Sequence, residues 1–97
     1  MEITAKVIEI LPEMTGTSEK TGKNWRNQEI VLQTEAYYPQ LIAFVFRNQN
    51  VDKLSNIHIG DKARVIFEPE SRKYNDKYYT TLNAWDITII EPTPTPA

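Results

Sequence analysis

Between Glu2 and Val7 the chain alternates strictly: Ile3, Ala5 and Val7 are apolar, and Glu2, Thr4 and Lys6 are polar. A period of two marks a strand with one buried face, and it predicts a first strand here. The phase then flips, with Ile8 and Ile10 apolar and Glu9 polar between them. A one-residue bulge near Val7 and Ile8 returns the apolar set to the core and bends the strand, as a small closed barrel requires. Pro12 stops the ladder because it has no N–H to donate.

Residues Glu13 to Asn24, "EMTGTSEKTGKN", mix Gly, Thr and charges without apolar periodicity and read as a long loop. Loops of about a dozen residues are uncommon in so small a domain and are often functional. Alternation resumes in "WRNQEIVLQT", which predicts a second strand. Gln28, Ile30, Leu32 and Thr34 share one face, and Trp25, Asn27, Glu29, Val31 and Gln33 share the other. With Ile30 and Leu32 inward, Trp25 faces out unless the strand is bulged before them. After a turn at "EAYYPQ", the third strand "LIAFVFRN" is apolar on both faces: Leu41, Ala43 and Val45 on one, Ile42, Phe44 and Phe46 on the other.

One segment reads as helical. In "NQNVDKLSNI", Val51, Leu54 and Ile57 recur at spacings of three and Asn50 is placed to cap the first turn. Gly60 and Asp61 turn the chain into a fourth strand, with Ala63, Val65 and Phe67 alternating against Lys62, Arg64, Ile66 and Glu68. A turn at "YNDK" leads to a long fifth strand, Tyr78 to about Ile90, rich in Thr, Tyr, Trp and Ile. Trp85 lies on the parity of Ile87 and Ile89 and is expected to be packed with them. The ending "EPTPTPA" alternates Pro and Thr, which builds neither ladder nor core and predicts a mobile polyproline-like tail. The expected organisation is one domain, residues 1–91, with a Pro/Thr-rich flexible tail at 92–97.

Strand, long loop, strand, strand, short helix, strand, strand is the element order of the OB-fold. The predicted class is all-β: a five-stranded Greek-key barrel with one short helix between strands three and four. An SH3-like barrel is the alternative; the position of the helix and the "IGDKARVIF" entry into strand four favour the OB order.

Composition narrows the function. A chain of 97 residues forms one domain and buries only roughly 60 to 65% of its unfolded surface. It has no Cys, which removes disulfides, thiolate metal sites and a cysteine nucleophile. "MEITAKVIEIL" spreads its charges and has no uninterrupted apolar core, so no signal peptide is expected. No stretch approaches the ~20 apolar residues of a membrane helix, and a soluble, cytoplasmic protein is the expectation. His58 is the single His and has no neighbours that form a triad or a metal set; "TGTSEKTGK" departs from phosphate-loop spacing. No enzyme, cofactor, metal or small-molecule substrate is expected.

The formal net charge of −2 argues against a whole-surface grip on nucleic acid. Local patches override that total. Lys20, Lys23 and Arg26 form one basic cluster, with Glu19 interleaved; Arg72, Lys73 and Lys77 form a second, with Glu70 and Asp76 interleaved. The second sits in "SRKYNDKYYTTLNAW", among three Tyr and a Trp. Single-strand binding without sequence preference needs a cationic track for the backbone and aromatic faces for the bases. The clusters supply the first, with Arg47 at the end of the third strand; Trp25, Phe44, Phe46, Tyr74 and Tyr78 are candidates for the second, although Phe44 and Phe46 equally suit a small core.

"MEITAKVIEILPEMTGTS", "GKNWRNQEIVLQT" and "IGDKARVIFEPESRKYNDKYYTTLNAW" together resemble a family of short bacterial proteins known only as a domain of unknown function, taken to be OB-folds distantly similar to single-stranded DNA-binding protein. The resemblance implies that Phe46 falls near a stacking aromatic, that Arg72 and Lys73 touch phosphates and that Tyr74 stacks a base. A Tyr stands where Trp is usual, and the acidic, Phe-ended tail that recruits partners is absent. The expected partner is single-stranded DNA or RNA, bound through Lys23, Trp25, Arg26, Phe46, Arg47, Arg72, Lys73, Tyr74, Lys77 and Tyr78. The alternative is a protein-interaction or structural OB domain, whose doubly apolar third strand buries against a partner. A homo-oligomer is compatible with both.

Overall fold

The computed structural model describes residues 1–92; the expected Pro/Thr tail lies, from Thr93 onward, outside the described residues. Six strands, β1 (Glu2–Ile10), β2 (Met14–Thr17), β3 (Asn24–Gln33), β4 (Leu41–Arg47), β5 (Lys62–Tyr74) and β6 (Lys77–Glu91), are joined by turns and by one 3-10 helix (Asn48–Leu54) between β4 and β5. The sheet order is β1-β5-β6-β4-β3-β2, and an added β1–β3 pairing closes it on itself. The short parallel pairing of β4 with β6, Val45 to Asn83 and Phe46 to Ala84, completes the ring. Apart from β2, this is the five-stranded OB-fold barrel that the element order predicts.

The bulge at Val7 and Ile8 is present. Val7 pairs with Leu32 and Glu9 with Val31, leaving Ile8 extra, and Ile10 returns to the core side opposite Ile30. The chain before β5 supports it: the Gly60 N–H donates to the Val7 carbonyl (2.7 Å) and the Val7 N–H to the Asp61 carbonyl (2.8 Å). Gly60 adopts φ 100°, which a Cβ would disfavour. Because β1 bends here, its first half pairs with β5 and its second half with β3.

Inside the ring, Ala5, Val7, Ile30, Leu32, Phe44, Phe46, Ala63 and Val65 are fully buried. Phe67 packs on Phe44 edge-to-face at 5.0 Å between centroids. Each large side chain removed from water here stabilises the fold by about 1.5–3 kcal/mol. Val51, Leu54 and Ile57 cap the barrel as their spacing predicts. The cap itself differs from expectation: it is a 3-10 segment starting at Asn48, with no side-chain cap, because β4 runs straight into it and leaves no room for an Asn50-capped α-turn.

Two further differences have identifiable causes. Residues Met14–Thr17, expected in a loop, pair with Asn24–Asn27 as a strand. Their exposed, Gly-containing sequence carries no apolar alternation to announce it. Trp85, expected to be packed, is 39% exposed. A register shift pairs Ile66 with Asp86 and Phe67 with Ala84, so Trp85 becomes the extra residue and leaves the parity of Ile87 and Ile89.

Beyond Phe67 the β5–β6 hairpin leaves the barrel. β5 pairs with β1 only as far as Ile66, yet continues to pair with β6 to Tyr74. Pro69 is tolerated in mid-strand because β5 is an edge by that point. Asn75 and Asp76, at φ 49° and 64°, form the two-residue turn at the tip. Both central residues at positive φ match the right-handed twist of the arms, and Asn and Asp bear that conformation better than most residues.

Candidate nucleic-acid interface

The strand pairings assign each predicted binding residue to a face. On β3 and β4 the inward set is Gln28, Ile30 and Leu32 against Phe46, Phe44 and Ile42; the outward set is Asn27, Glu29 and Val31 against Arg47, Val45 and Ala43. Val45 pairs with Asn83, so the outward face continues onto β6. From there it runs along the hairpin through Glu68–Asn83, Glu70–Thr81, Arg72–Tyr79 and Tyr74–Lys77. Period-two geometry also places Trp25 on this surface, two residues before Asn27. One continuous outer face therefore joins Trp25 at one end to Tyr79 and Tyr74 at the other, with Arg47, Arg72 and Lys77 along it.

Trp25 is half-buried, and its partner across β2 explains how. Gly16 pairs with Trp25, and a Cβ on Gly16 would lie 2.4 Å from the indole Cζ2. The ring lies over the glycine, held by a neighbour that has no side chain. The β2–β3 turn is fastened by the Ser18 N–H to the Lys23 carbonyl (2.8 Å) and by the Thr17 hydroxyl to Asn24 Oδ1 (2.9 Å). Lys23 is exposed at this turn.

Between β2 and the hairpin the outer face is concave. A groove of about 340 Å³ is lined by Leu11, Pro12, Met14, Asn27, Glu29, Val45, Arg47 and Thr81. A second hollow of about 420 Å³ shares Glu29, Val45 and Thr81 with it and extends to Leu41 and Leu82. Volumes of this size suit small planar groups. The wall at Leu11 is fixed twice, by its own N–H to the Glu29 carbonyl (3.0 Å) and by the Gln28 amide donating to its carbonyl (3.0 Å).

The rings of the hairpin are open to solvent: Tyr74 is 67% exposed, Tyr78 71% and Tyr79 56%. Arg72 faces Glu70 at 3.5 Å, and Glu70 also accepts from the Asn83 amide at 2.7 Å. An exposed pair of this kind is weak and exchanges readily for phosphate. The predicted hairpin set divides between two faces. Arg72, Tyr74 and Lys77 share the groove side, whereas Lys73 and Tyr78 pair with each other on the opposite side.

Two predicted site residues are placed elsewhere. Phe46 is 0% exposed, its ring packed in the barrel, so it presents no stacking face; Phe44 is buried in the same way. Their strand is apolar on both sides because its outer residues line the groove. Arg26 points to the barrel end, where it pairs with Glu13 and, at 3.0 Å, with Asp52. Hydrogen bonds to Glu13 first and Asp52 second hold its guanidinium above the ordinary arginine value. It clamps the β1–β2 connection to the 3-10 helix. Conversely, Glu29, Thr81, Asn83 and Tyr79 line or border the groove and were not singled out; only pairing register across non-consecutive strands brings them together.

Among the described residues no helix is long and apolar enough to cross a membrane, and no group of three or more His, Asp or Glu is placed to hold a metal ion.

No curated protein matches the chain by sequence. In structure it is similar to Rim1, a mitochondrial single-stranded DNA-binding protein from S. cerevisiae, with a TM-score of 0.73 at 13% identity over 95% of each chain. It is also similar to the N-terminal domain of PriB from Thermoanaerobacter tencongensis, a dimeric structure, with a TM-score of 0.57 at 18% identity over 93% of each chain. A small single-stranded DNA-binding protein from Streptomyces coelicolor gives a TM-score of 0.50 at 9% identity, covering 92% of this chain and 91% of that one. These are likenesses of fold. Residues 2–88 match the profile of a domain of unknown function, DUF3127, and by that match over nearly its whole length the chain belongs to the DUF3127 family.

Proposed function

We propose that this protein is a single-stranded nucleic-acid-binding module that carries its ligand along the outer face of β3, β4 and the β5–β6 hairpin. The observation that carries this reading is the continuity of that face: Trp25, the apolar groove, Tyr79 and Tyr74 follow one another on a single surface of paired strands, with Arg47, Arg72 and Lys77 on it. Bases stack on exposed rings whatever their identity, while the cations meet the backbone. Similarity in fold to proteins described as single-stranded DNA-binding supports the same reading.

The binding is modestly electrostatic. Arg47 stands in the groove beside Glu29, which leaves Arg72 and Lys77 for the backbone, so about 2 phosphates are neutralised. A slope of log K on log salt of about −1.4 follows, at about −0.7 per phosphate of a single strand. Self-association accompanies binding in this reading: among the described residues the first half of β1 pairs with β5 alone, which leaves its other edge for a second copy.

The test is fluorescence anisotropy of a labelled ~30-nucleotide single strand titrated at low and moderate salt, with duplex as control. Saturable binding that favours the single strand and weakens with salt is expected. No binding at low salt, where electrostatic attraction is strongest, would reject the reading and turn attention to protein partners.

A further inference from the structure

In and beside the groove between β2 and the hairpin are polar atoms that stacking alone leaves unexplained. Arg47 Nε and Asn83 Oδ1 are both buried without a hydrogen-bond partner, one a donor and one an acceptor. Arg47 lines the groove two residues beyond Val45 on β4, and Asn83, the pairing partner of Val45, stands on the neighbouring strand. Leaving such atoms unmatched costs more than a typical hydrogen bond returns, so each calls for an explanation. Beside them the Glu29 carboxylate lines the same groove, and it makes no ion pair or hydrogen bond among the described residues. Glu29 pairs with Val45, and Arg47 with Asn27, which makes Glu29 and Arg47 diagonal neighbours across two strands. Diagonal positions stand roughly 7–8 Å apart, within reach of each other for long side chains. The two have opposite charges and yet do not meet.

The geometry points to a base-reading pocket in this groove that selects guanine. The inference rests on the single-strand reading above and adds specificity to it. A carboxylate repels phosphate, so the Glu29 end of the groove is suited to a base rather than to the backbone. The carboxylate accepts hydrogen bonds only, and the Arg47 guanidinium only donates. Guanine alone presents, side by side on its Watson–Crick edge, a carbonyl acceptor (O6) and two N–H donors (N1 and N2). The Arg47 guanidinium, which lines the groove, donates to O6, while the two Glu29 oxygens accept from N1–H and N2–H. Thymine places a carbonyl on each side of its single N–H and so turns lone pairs toward Glu29. Cytosine and adenine each offer the carboxylate one amino group and satisfy it in part. The ring faces are covered by apolar walls from Leu11, Met14 and Val45, of which Met14 is 65% exposed and its unbranched side chain free to adapt to a planar ring.

The test compares three 12-nucleotide DNA strands: all thymine, thymine with one central guanine, and the same strand with hypoxanthine in place of guanine. Anisotropy competition is expected to give the guanine strand about 10-fold tighter binding than all-thymine, in the range of a good bidentate base contact. The hypoxanthine strand, which lacks the N2 amine, should fall between them. In Glu29→Gln the guanine advantage over all-thymine, compared within the variant, should shrink to about 2-fold. Equal affinity of the wild type for all three strands would overturn the guanine pocket and leave the single-strand reading in place. Failure of every strand to bind would overturn both.

Discussion

The barrel interior and the β5–β6 hairpin are built from the same residue types in opposite circumstances. Phe44 and Phe46 are aromatic residues on a strand that every neighbour encloses, and they are wholly buried. Tyr74, Tyr78 and Tyr79 are aromatic residues on strands that have left the barrel, and they remain mostly exposed. A hairpin does not need exposed rings to fold, since its two arms already satisfy each other's backbone over its whole length. The interior rings contribute to stability, and the hairpin rings are available for contact. Stability and binding should therefore respond to different substitutions.

The largest effect expected from this contrast is on Phe44→Ala. Removing a fully buried ring should cost about 3–5 kcal/mol of unfolding free energy, a large share of the ~5–15 kcal/mol of a small domain, measured by urea denaturation. Tyr74→Ala and Tyr79→Ala should each leave stability within about 0.5 kcal/mol and reduce single-strand affinity by about 1–3 kcal/mol, read by anisotropy. Tyr78→Ala, on the opposite face, should change affinity less than either; a larger loss there than at Tyr74 would mean that the strand passes behind the hairpin. Gly16→Val should displace the Trp25 ring and cost about 1–3 kcal/mol in stability. In a Trp85→Phe background the emission of Trp25 should shift to the red, and an unchanged spectrum would show that the glycine is no seat for the ring. The smallest effect should be that of Arg26→Ala, which removes the clamp onto Glu13 and Asp52. The melting temperature should fall slightly, with affinity unchanged within about 2-fold.

The division between barrel and hairpin also accounts for what the sequence conveyed. Local period-two patterns located the five barrel strands, and the phase flip after Val7 located the β1 bulge, because a buried face leaves its mark residue by residue. The inward set of β3 was readable for the same reason. β2 was not, since it is a strand with neither face buried, stabilised by pairing with β3 and by the contact of Trp25 with Gly16. Trp85 was misplaced because a bulge inside β6 shifts parity without any composition signal. Phe46 was assigned to the binding site by the family resemblance, although the deciding fact, closure of β4 against β6, involves residues almost forty positions away. The site itself shows the same limit. The Arg, Lys and Tyr of the hairpin stood together in the sequence, but their division into two faces follows from the register of the Asn75–Asp76 turn. Glu29 and Arg47 come to line one groove, and Asn83 to stand beside it, only through pairings between distant strands.

The central claim is that nucleic acid follows one face, from Trp25 through the groove to Tyr74. The most direct test is amide and indole NMR shift mapping of the labelled protein during titration with a 12-nucleotide single strand. The account predicts that shifts concentrate at Trp25, Glu29, Val45, Arg47, Tyr74, Tyr79 and Thr81 and leave the Tyr37–Tyr38 turn unmoved. Shifts centred on Tyr37 and Tyr38, or confined to Lys73 and Tyr78 behind the hairpin, would contradict it.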